Sequence, residues 1–296
     1  MGGESPDSGG ESVEIVLRHS RHPKSVRAAN MAGVGTTLPI HIGDAFAVSL
    51  AEVIGSAVLL RDALSPEIEV TWSSGFNPTD FSTGSMVLGA PEYVLLLVLR
   101  DQANSYMHRE LCQPKFQGGI WSMAKLPGAQ ACAQKSSMMT LAALFDQRRF
   151  SFAGALSLDE VYSPEQLLYD LEIKDHVSRL VRGFDDPREP DRCLSDLEQA
   201  VKEGGFIGLE TTARLFRSVY WAPSLFERSP LGNWRTLGSP SLRERAATLL
   251  KQALLRHDYR LAPEPQSQID TILHRARQEA GLPANLELPP SLGPKP

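Results

Sequence analysis

Five aromatic residues sit at or just beyond stretches that read as β-strands: Trp72, Phe76, Phe81, Trp121 and Phe152. Ring faces with few charges nearby attract a cationic ammonium group through the aromatic quadrupole. The same rings can instead fill the mouth of a sheet and touch only one another, and the residue types alone leave both readings open. Polar candidates flank them. Asp80 lies in the long connection "SSGFNPTDFSTGSMVLGAPE", residues 73–92. Lys125 lies in "GGIWSMAKLPGAQACAQK", residues 118–135, and is either a buried base or anion contact or an ordinary exposed lysine. Asp159, Glu160 and Tyr162 follow a third strand-like stretch. Gly118 and Gly119 lack the spacing of a dinucleotide fingerprint or a P-loop. The stretch "HRELC" gathers His108, Glu110 and Cys112, types that bind metals, but at no zinc-site spacing. Neither GxSxG nor HExxH occurs, which leaves the common hydrolases without support.

The elements that must position these residues alternate along the chain. Residues 13–19 and 47–64 have helical character, the second stopped at Ser65-Pro66 because the residue before proline is pushed out of helical geometry. Residues 67–72, "EIEVTW", alternate with β-branched types and predict a strand. Pro91 suits a first helical turn, and the helix it starts is expected to reach Tyr106. Residues 116–121 predict a short strand, 130–147 a helix and 149–156 a strand. Ser163-Pro164-Glu165-Gln166 is a capping box for a helix ending near Gly183. Strand and helix thus alternate about four times, the pattern of a parallel sheet built from βα units. A helical extension follows, with Asp191 capping one helix, another over 211–220, and Ser241-Leu242-Arg243-Glu244 opening the last long one. In such sheets ligands lie beyond the carboxyl ends of the strands, where the candidate loops fall. The expected division is a disordered 1–12, partial-barrel βα units over 13–185, a helical extension over 186–280 and a disordered tail over 281–296.

Composition is that of an ordinary globular protein, 42% hydrophobic and 22% charged over 296 residues. A net charge of −5 disfavours a phosphate-backbone surface, so no nucleic-acid partner is expected. Three scattered cysteines make no disulfide framework or zinc pair and fit a reducing cytoplasm. Apolar runs such as "YVLLLVLR" fall short of the ~20 residues of a membrane span, so no membrane association is expected.

Four stretches together resemble the trimethylamine methyltransferase (MttB-like) family, of the non-pyrrolysine glycine betaine:corrinoid methyltransferase type. They are "MAGVGTTLPIHIGDAFAVSLAEVIG", the loop carrying Asp80, Thr83, Gly84, Pro91 and Glu92, the Gly-Gly stretch with Ala124, Lys125, Pro127, Gln130 and Ala131, and a terminal segment with Phe216, Trp221, Pro223, Leu225, Arg228, Trp234 and Arg245. The match runs from Met31 to Ala280 and corresponds to the C-terminal part of longer family chains. It implies an α/β fold, a partial (β/α) TIM-type barrel of about four βα units with a helical C-terminal extension. The implied activity moves a methyl group from a quaternary or tertiary methylated amine to a corrinoid protein. The corrinoid (cobalamin) is carried by that partner, and this chain binds no cofactor directly. The implied substrate-binding set is Trp72, Phe76, Asp80, Phe81, Gly118, Gly119, Trp121, Lys125, Gln130 and Phe152, with no metal ligand. A closed barrel needs eight units, so a homo-oligomer or a second chain is expected to complete it. The alternative is a non-catalytic scaffold or binding subunit from a degenerate half-barrel, which fits Met123 and Gly128 standing where the family pattern carries acids.

Overall fold

The computed structural model describes residues 14–19, 24–107, 118–145, 147, 149–184, 190–258 and 261–281, with the side chains of Phe76, 101–107, 190 and 191 left aside. The chain divides into two units, 1–247 and 248–296. Residues 14–18 form a short helix, α1. The first parallel pair then takes shape in two sections. β1 (Ser25–Ala29) pairs with β3 (Glu69–Ser73), and β2 (Ala32–Gly33) pairs with β4 (Phe76–Asn77). The register is the same in both sections, Ser25 facing Glu69 and Ala32 facing Phe76, so they are one ladder with a break at residues 30–31 and 74–75. Asn30 spans the break: its Oδ1 accepts from Gly75 N at 2.7 Å and from Ser49 Oγ at 3.2 Å. A Cβ on Gly75 would stand 2.4 Å from the Asn30 carbonyl oxygen, so no side chain fits there.

Helix α2 (Ile42–Ala63) crosses between the two strands. It starts five residues before the predicted Ala47, since Asp44 in the first turn and the small residues after it extend the helix without a clash. Ala45, Ser49, Val53, Ala57 and Leu60 fall at helical spacing and are buried. Ala57 and Leu60 pack with Ala28, Leu64 and Val70 of the strand pair. The opposite face is apolar too: Val48, Ile54, Val58 and Leu59 are 39%, 41%, 61% and 71% exposed. This 22-residue helix is long and apolar enough to cross a membrane by length and composition, although Asp44, Glu52, Arg61 and Asp62 interrupt its apolar runs.

An antiparallel pair, β5 (Thr79–Asp80) and β6 (Ser85–Met86), shapes the long connection before α3 (Pro91–Met107). The second parallel pair joins β7 (Gly118–Gly119) to β8 (Phe150–Ser151), with α4 (Ala129–Leu144) between them. The predicted strand over 149–156 is divided: β9 (Ala155–Leu156) pairs antiparallel with β10 (Val161–Tyr162) instead. Phe152 and Gly154, with φ of 65° and 81°, turn the chain out of extended geometry between the two parts. Helix α5 (Pro164–Arg182) begins where its capping box places it, Ser163 Oγ accepting from Gln166 N at 3.2 Å. Helices α3, α4 and α5 bury one core under β7 and β8, built on Leu88, Tyr93, Leu97, Ile120, Met138, Met139, Ile173 and Val177. The architecture is mixed α/β with five two-stranded sheets among the described residues, none of them closed.

Helices α6 (Pro190–Glu203), α7 (Glu210–Val219), α8 (Leu231–Thr236) and α9 (Leu242–Arg256) follow, and α10 (Pro263–Glu279) lies in the second unit. The connection over 221–230 is held to α5 by a buried carboxylate. Glu172 accepts from Ser224 N at 3.2 Å and Phe226 N at 3.0 Å. Arg245 adds an ion pair to Glu227 at 2.7 Å and a bond to Phe226 O at 3.2 Å. Arg228 lies over the Trp221 ring, 5.4 Å from its centroid.

Candidate functional site

The carboxyl end of β7 is built around one steric requirement. Gly119 pairs with Ser151, and Ile120 N donates to Ser151 O at 3.1 Å. The Trp121 indole folds back over Gly119, where a Cβ would lie 2.5 Å from Nε1 and 3.0 Å from Cε2. Only glycine permits that approach. On the neighbouring strand the left-handed turn at Phe152 swings its ring onto the same indole. The centroids are 3.8 Å apart with 31° between the planes. Phe152 remains 41% exposed, so the pair presents an aromatic surface at the strand ends.

A buried charge pair sets that turn. Lys135 of α4 and Asp170 of α5 meet at 2.6 Å with both side chains fully buried. Lys135 Nζ also donates to Phe152 O at 3.3 Å. Asp170 Oδ2 accepts from Gly154 N at 2.7 Å, and Oδ1 accepts from Gln166 Nε2 at 2.8 Å. The backbone on both sides of the turn is therefore tied to one ion pair. Burial pushes the Lys135 ammonium below its ordinary pKa, with Asp170 pulling the other way. The Cys132 thiol beside Gln166 is pushed up, chiefly by burial. Gln166 Oε1 is buried with no hydrogen-bond partner.

A second network fixes the stretch after Trp121. Gln134 Oε1 accepts from Ser122 Oγ at 2.8 Å and Met123 N at 3.1 Å. Ser157 N donates to Ala124 O at 2.8 Å, and Leu158 N donates to Ser122 O at 2.9 Å. Lys125 is exposed yet engaged: its Nζ donates to Ser157 Oγ at 2.7 Å, and Ser157 Oγ donates to Glu160 Oε2 at 2.7 Å. Burial raises the Tyr93 hydroxyl, which is hydrogen-bonded to Trp121.

Of the residues expected at the site, Gly118, Gly119, Trp121 and Phe152 come together, with Lys125 on the adjoining stretch. Gln130 is exposed on the first turn of α4, and the glutamine that holds the loop is Gln134, one turn on. Trp72 shares a strand face with Val70 and packs on the Ala28, Ala57 and Leu60 cluster toward α2, as the period of two along a strand requires. Phe81 is 64% exposed and its ring covers Gly35, where a Cβ would lie 2.4 Å from Cζ. Asp80 closes its own turn: Oδ1 accepts from Ser82 N at 2.8 Å and Ser82 Oγ at 2.6 Å, and Oδ2 accepts from Thr83 Oγ1 at 3.0 Å. These bonds hold its carboxyl below the usual range, the Ser82 hydroxyl contributing most. The Phe76 side chain and the His108, Glu110 and Cys112 stretch lie outside the described residues.

Sequence reasoning passed over Lys135 and Asp170, though a signal was present. Lys135 stands at i+4 from Ala131 and at i−3, i−4 and i−7 from Met138, Met139 and Ala142, all buried on one face. Asp170 stands in the same relation to Gln166, Ile173 and Val177 on α5. A charge in the centre of an apolar helical stripe must find a partner.

Residues 11–281 match the family model described as trimethylamine methyltransferase (MTTB). The trimethylamine methyltransferase MttB2 of Methanosarcina mazei is 27% identical over 83% of this chain and 48% of its own length. The trimethylamine methyltransferase MttB of Methanosarcina barkeri strain Fusaro is 25% identical over 83% of this chain and 48% of its length. The glycine betaine methyltransferase of Desulfitobacterium hafniense strain Y51 is 23% identical over 90% of this chain and 54% of its length. The chain spans about half the length of the curated relatives it matches. With nearly its whole length matched by one family model, the chain belongs to the trimethylamine methyltransferase family.

Proposed function

We propose that this chain supplies the methyl-donor side of a methyltransferase that takes a methyl group from a quaternary or tertiary methylated amine. The observation that carries the reading is the partly exposed Trp121–Phe152 pair at the strand ends, locked by Gly119 beneath one ring and by Lys135 behind the other. A methylated ammonium has charge spread over its methyl groups and no strong hydrogen-bond demand, so an aromatic face binds it without a carboxylate. Such contacts contribute about 0.5–2 kcal/mol. When the C–N bond breaks, its electron pair goes to nitrogen, the positive charge on the donor disappears, and a neutral amine leaves. For a quaternary donor no proton is needed at nitrogen. The methyl acceptor is the corrinoid of a partner protein, which brings the nucleophilic chemistry with it. The contribution of this chain is to hold the donor still, aim one methyl outward and keep water from the ammonium, a matter of positioning.

We take β1/β2, β3/β4, β7 and β8 with their helices as about four units of an incomplete (β/α) barrel over residues 13–185, with 186–280 as its helical extension. Asp80, Phe81 and Gln130 are assigned to the rim of the same site in this reading, while Trp72 faces the α2 cluster and is left out of it. The exposed apolar residues Val48, Ile54, Val58 and Leu59 of α2 support completion by a homo-oligomer or a second chain, since such a face is ordinarily covered. A cytoplasmic location fits this chemistry. Met123 and Gly128, standing where the family pattern carries acids, favour one other reading, a non-catalytic scaffold of the same units.

The test is methyl transfer to Co(I)-cobalamin from glycine betaine and from trimethylamine, with the complementary N-terminal half of a relative added. Trp121→Ala and Phe152→Ala are expected to raise the KM for the donor about 2- to 30-fold, the range corresponding to the lost ring contact. Absence of turnover with every methylated amine, or turnover untouched by both substitutions, refutes the assignment.

A further inference from the structure

A groove of about 640 Å³ runs between α3 and α4. Val94 and Leu95 make the α3 wall apolar, and the α4 wall sets Leu141 and Leu144 beside the uncharged polar residues Gln134 and Thr140. None of the described residues lining it carries a charge. Its volume lies in the range of small-molecule sites, about 300–1,000 Å³. Leu95 and Leu144 are 60% and 66% exposed, so the space is open to solvent. At one end the walls touch. A Cβ on Gly89 would lie 2.8 Å from Gln134 Oε1 and 3.0 Å from Met123 N. The groove is therefore blind there, which suits a compact molecule better than a helix laid along it. Gln134 stands at this blind end with its amide turned one way. Oε1 accepts from Ser122 Oγ at 2.8 Å and Met123 N at 3.1 Å, and a backbone N–H admits only the oxygen, so the orientation is fixed. Nε2 makes no hydrogen bond among the described residues and is left to donate elsewhere.

We propose that this groove binds a neutral small molecule with an alicyclic or branched alkyl body and one carbonyl group, which accepts from Gln134 Nε2. The body fills the space between Val94, Leu95, Leu141 and Leu144, and the single polar contact fixes its direction, the usual division of labour in a ligand site. A charged ligand is disfavoured. Entering between apolar walls strips its water, and no lining residue offers a counter-charge. The inference stands independently of the methyl-transfer reading, since neither Trp121 nor Phe152 lines the groove.

The probe is 4-tert-butylcyclohexanone, with 4-tert-butylcyclohexylammonium and 4-tert-butylcyclohexanecarboxylate as charged counterparts of the same body. Each is titrated into the isotopically labelled intact chain and followed by amide chemical shifts. The ketone is expected to bind saturably, with a Kd of about 1 mM or tighter, and at least tenfold tighter than either ion. The largest shifts are expected at Gln134, Thr140, Leu141 and Leu144. Leu144→Asp places a carboxylate at an exposed position of the wall and is expected to weaken ketone binding at least tenfold, with the circular dichroism spectrum intact. Gln134→Glu keeps an oxygen for Ser122 and Met123 but removes the donor, and the same loss is expected. No saturable shift with the ketone, either ion binding as tightly, or ketone binding unchanged in both variants overturns the proposal. Shifts centred on Trp121 instead place the probe at the ring pair and overturn it too. So does a concentration-dependent dimer that Leu144→Asp abolishes, which gives the groove to a second copy.

Discussion

Replacing Lys135 by methionine tests how the candidate site is held together. Methionine keeps most of the volume and removes the ammonium. Removing one partner of a buried ion pair costs about 3–5 kcal/mol, because the remaining charge is left in a medium that cannot solvate it. Here the remaining charge is partly satisfied. Asp170 keeps Gly154 N at 2.7 Å and Gln166 Nε2 at 2.8 Å, which places Lys135→Met at the lower end, about 3 kcal/mol. Asp170→Leu strands Gly154 N and Gln166 Nε2 and leaves the buried Lys135 ammonium only Phe152 O at 3.3 Å, so it belongs at the upper end, about 5 kcal/mol. The double variant has no unpaired charge, so its cost is expected below the sum of the two by at least ~2 kcal/mol. Urea unfolding of the whole chain reads these values. The near-ultraviolet circular dichroism of Trp121 reads whether the ring pair survives, since Phe152 O loses its Lys135 donor. A Lys135→Met cost under ~1 kcal/mol, or exact additivity in the double variant, refutes the claim that this pair holds the turn.

Three further outcomes follow from the same geometry. Gly119→Ala places a methyl 2.5 Å from Trp121 Nε1, so the indole must swing off its seat. Donor KM is expected to rise as in Trp121→Ala while the melting temperature falls only a few degrees, and an unchanged indole signal contradicts this. Glu172→Ala frees Ser224 N and Phe226 N, at an expected cost of about 1–3 kcal/mol with faster proteolysis over 221–230. Protease resistance equal to the parent shows that the connection is held by other contacts. Asp80, Glu227 and Glu244 all have carboxyls held below their ordinary values of 3.8, 4.5 and 4.5, mainly by hydrogen bonds from Ser82, Ser229 and Ser241. In each case the unfolded chain binds the proton more readily. Their stabilisation is complete above the ordinary values and is lost as the pH falls through the lowered ones. Melting curves from pH 7 to 2 are expected to show a loss below pH ~4 that is smaller in Asp80→Asn, and an identical acid limb in both proteins argues against it.

Much of the fold was legible because its signals are local. Ser163-Pro164-Glu165-Gln166 starts α5 through a bond spanning three residues, and Pro91 starts α3 for the reason its ring dictates. The alternation of strand and helix, and the arrival of Gly118, Gly119 and Trp121 at a strand end, were visible in the same way. Predicted strands came out shorter where the backbone turns left-handed, at Phe152 and Gly154, because nothing in "RFSFAGAL" itself compels a turn.

The sequence by itself determined where α3, α4 and α5 run, and it placed a lysine and an aspartate at helical spacing among the residues that become the buried stripes of α4 and α5. Tertiary structure decided that these two meet across 35 positions of sequence, that Phe152 turns onto Trp121, and that Arg179 reaches a carbonyl 40 residues away. The reason is one of range. Helix and turn preferences act over three or four residues, whereas a buried charge is satisfied by whichever partner the folded chain brings within bonding distance.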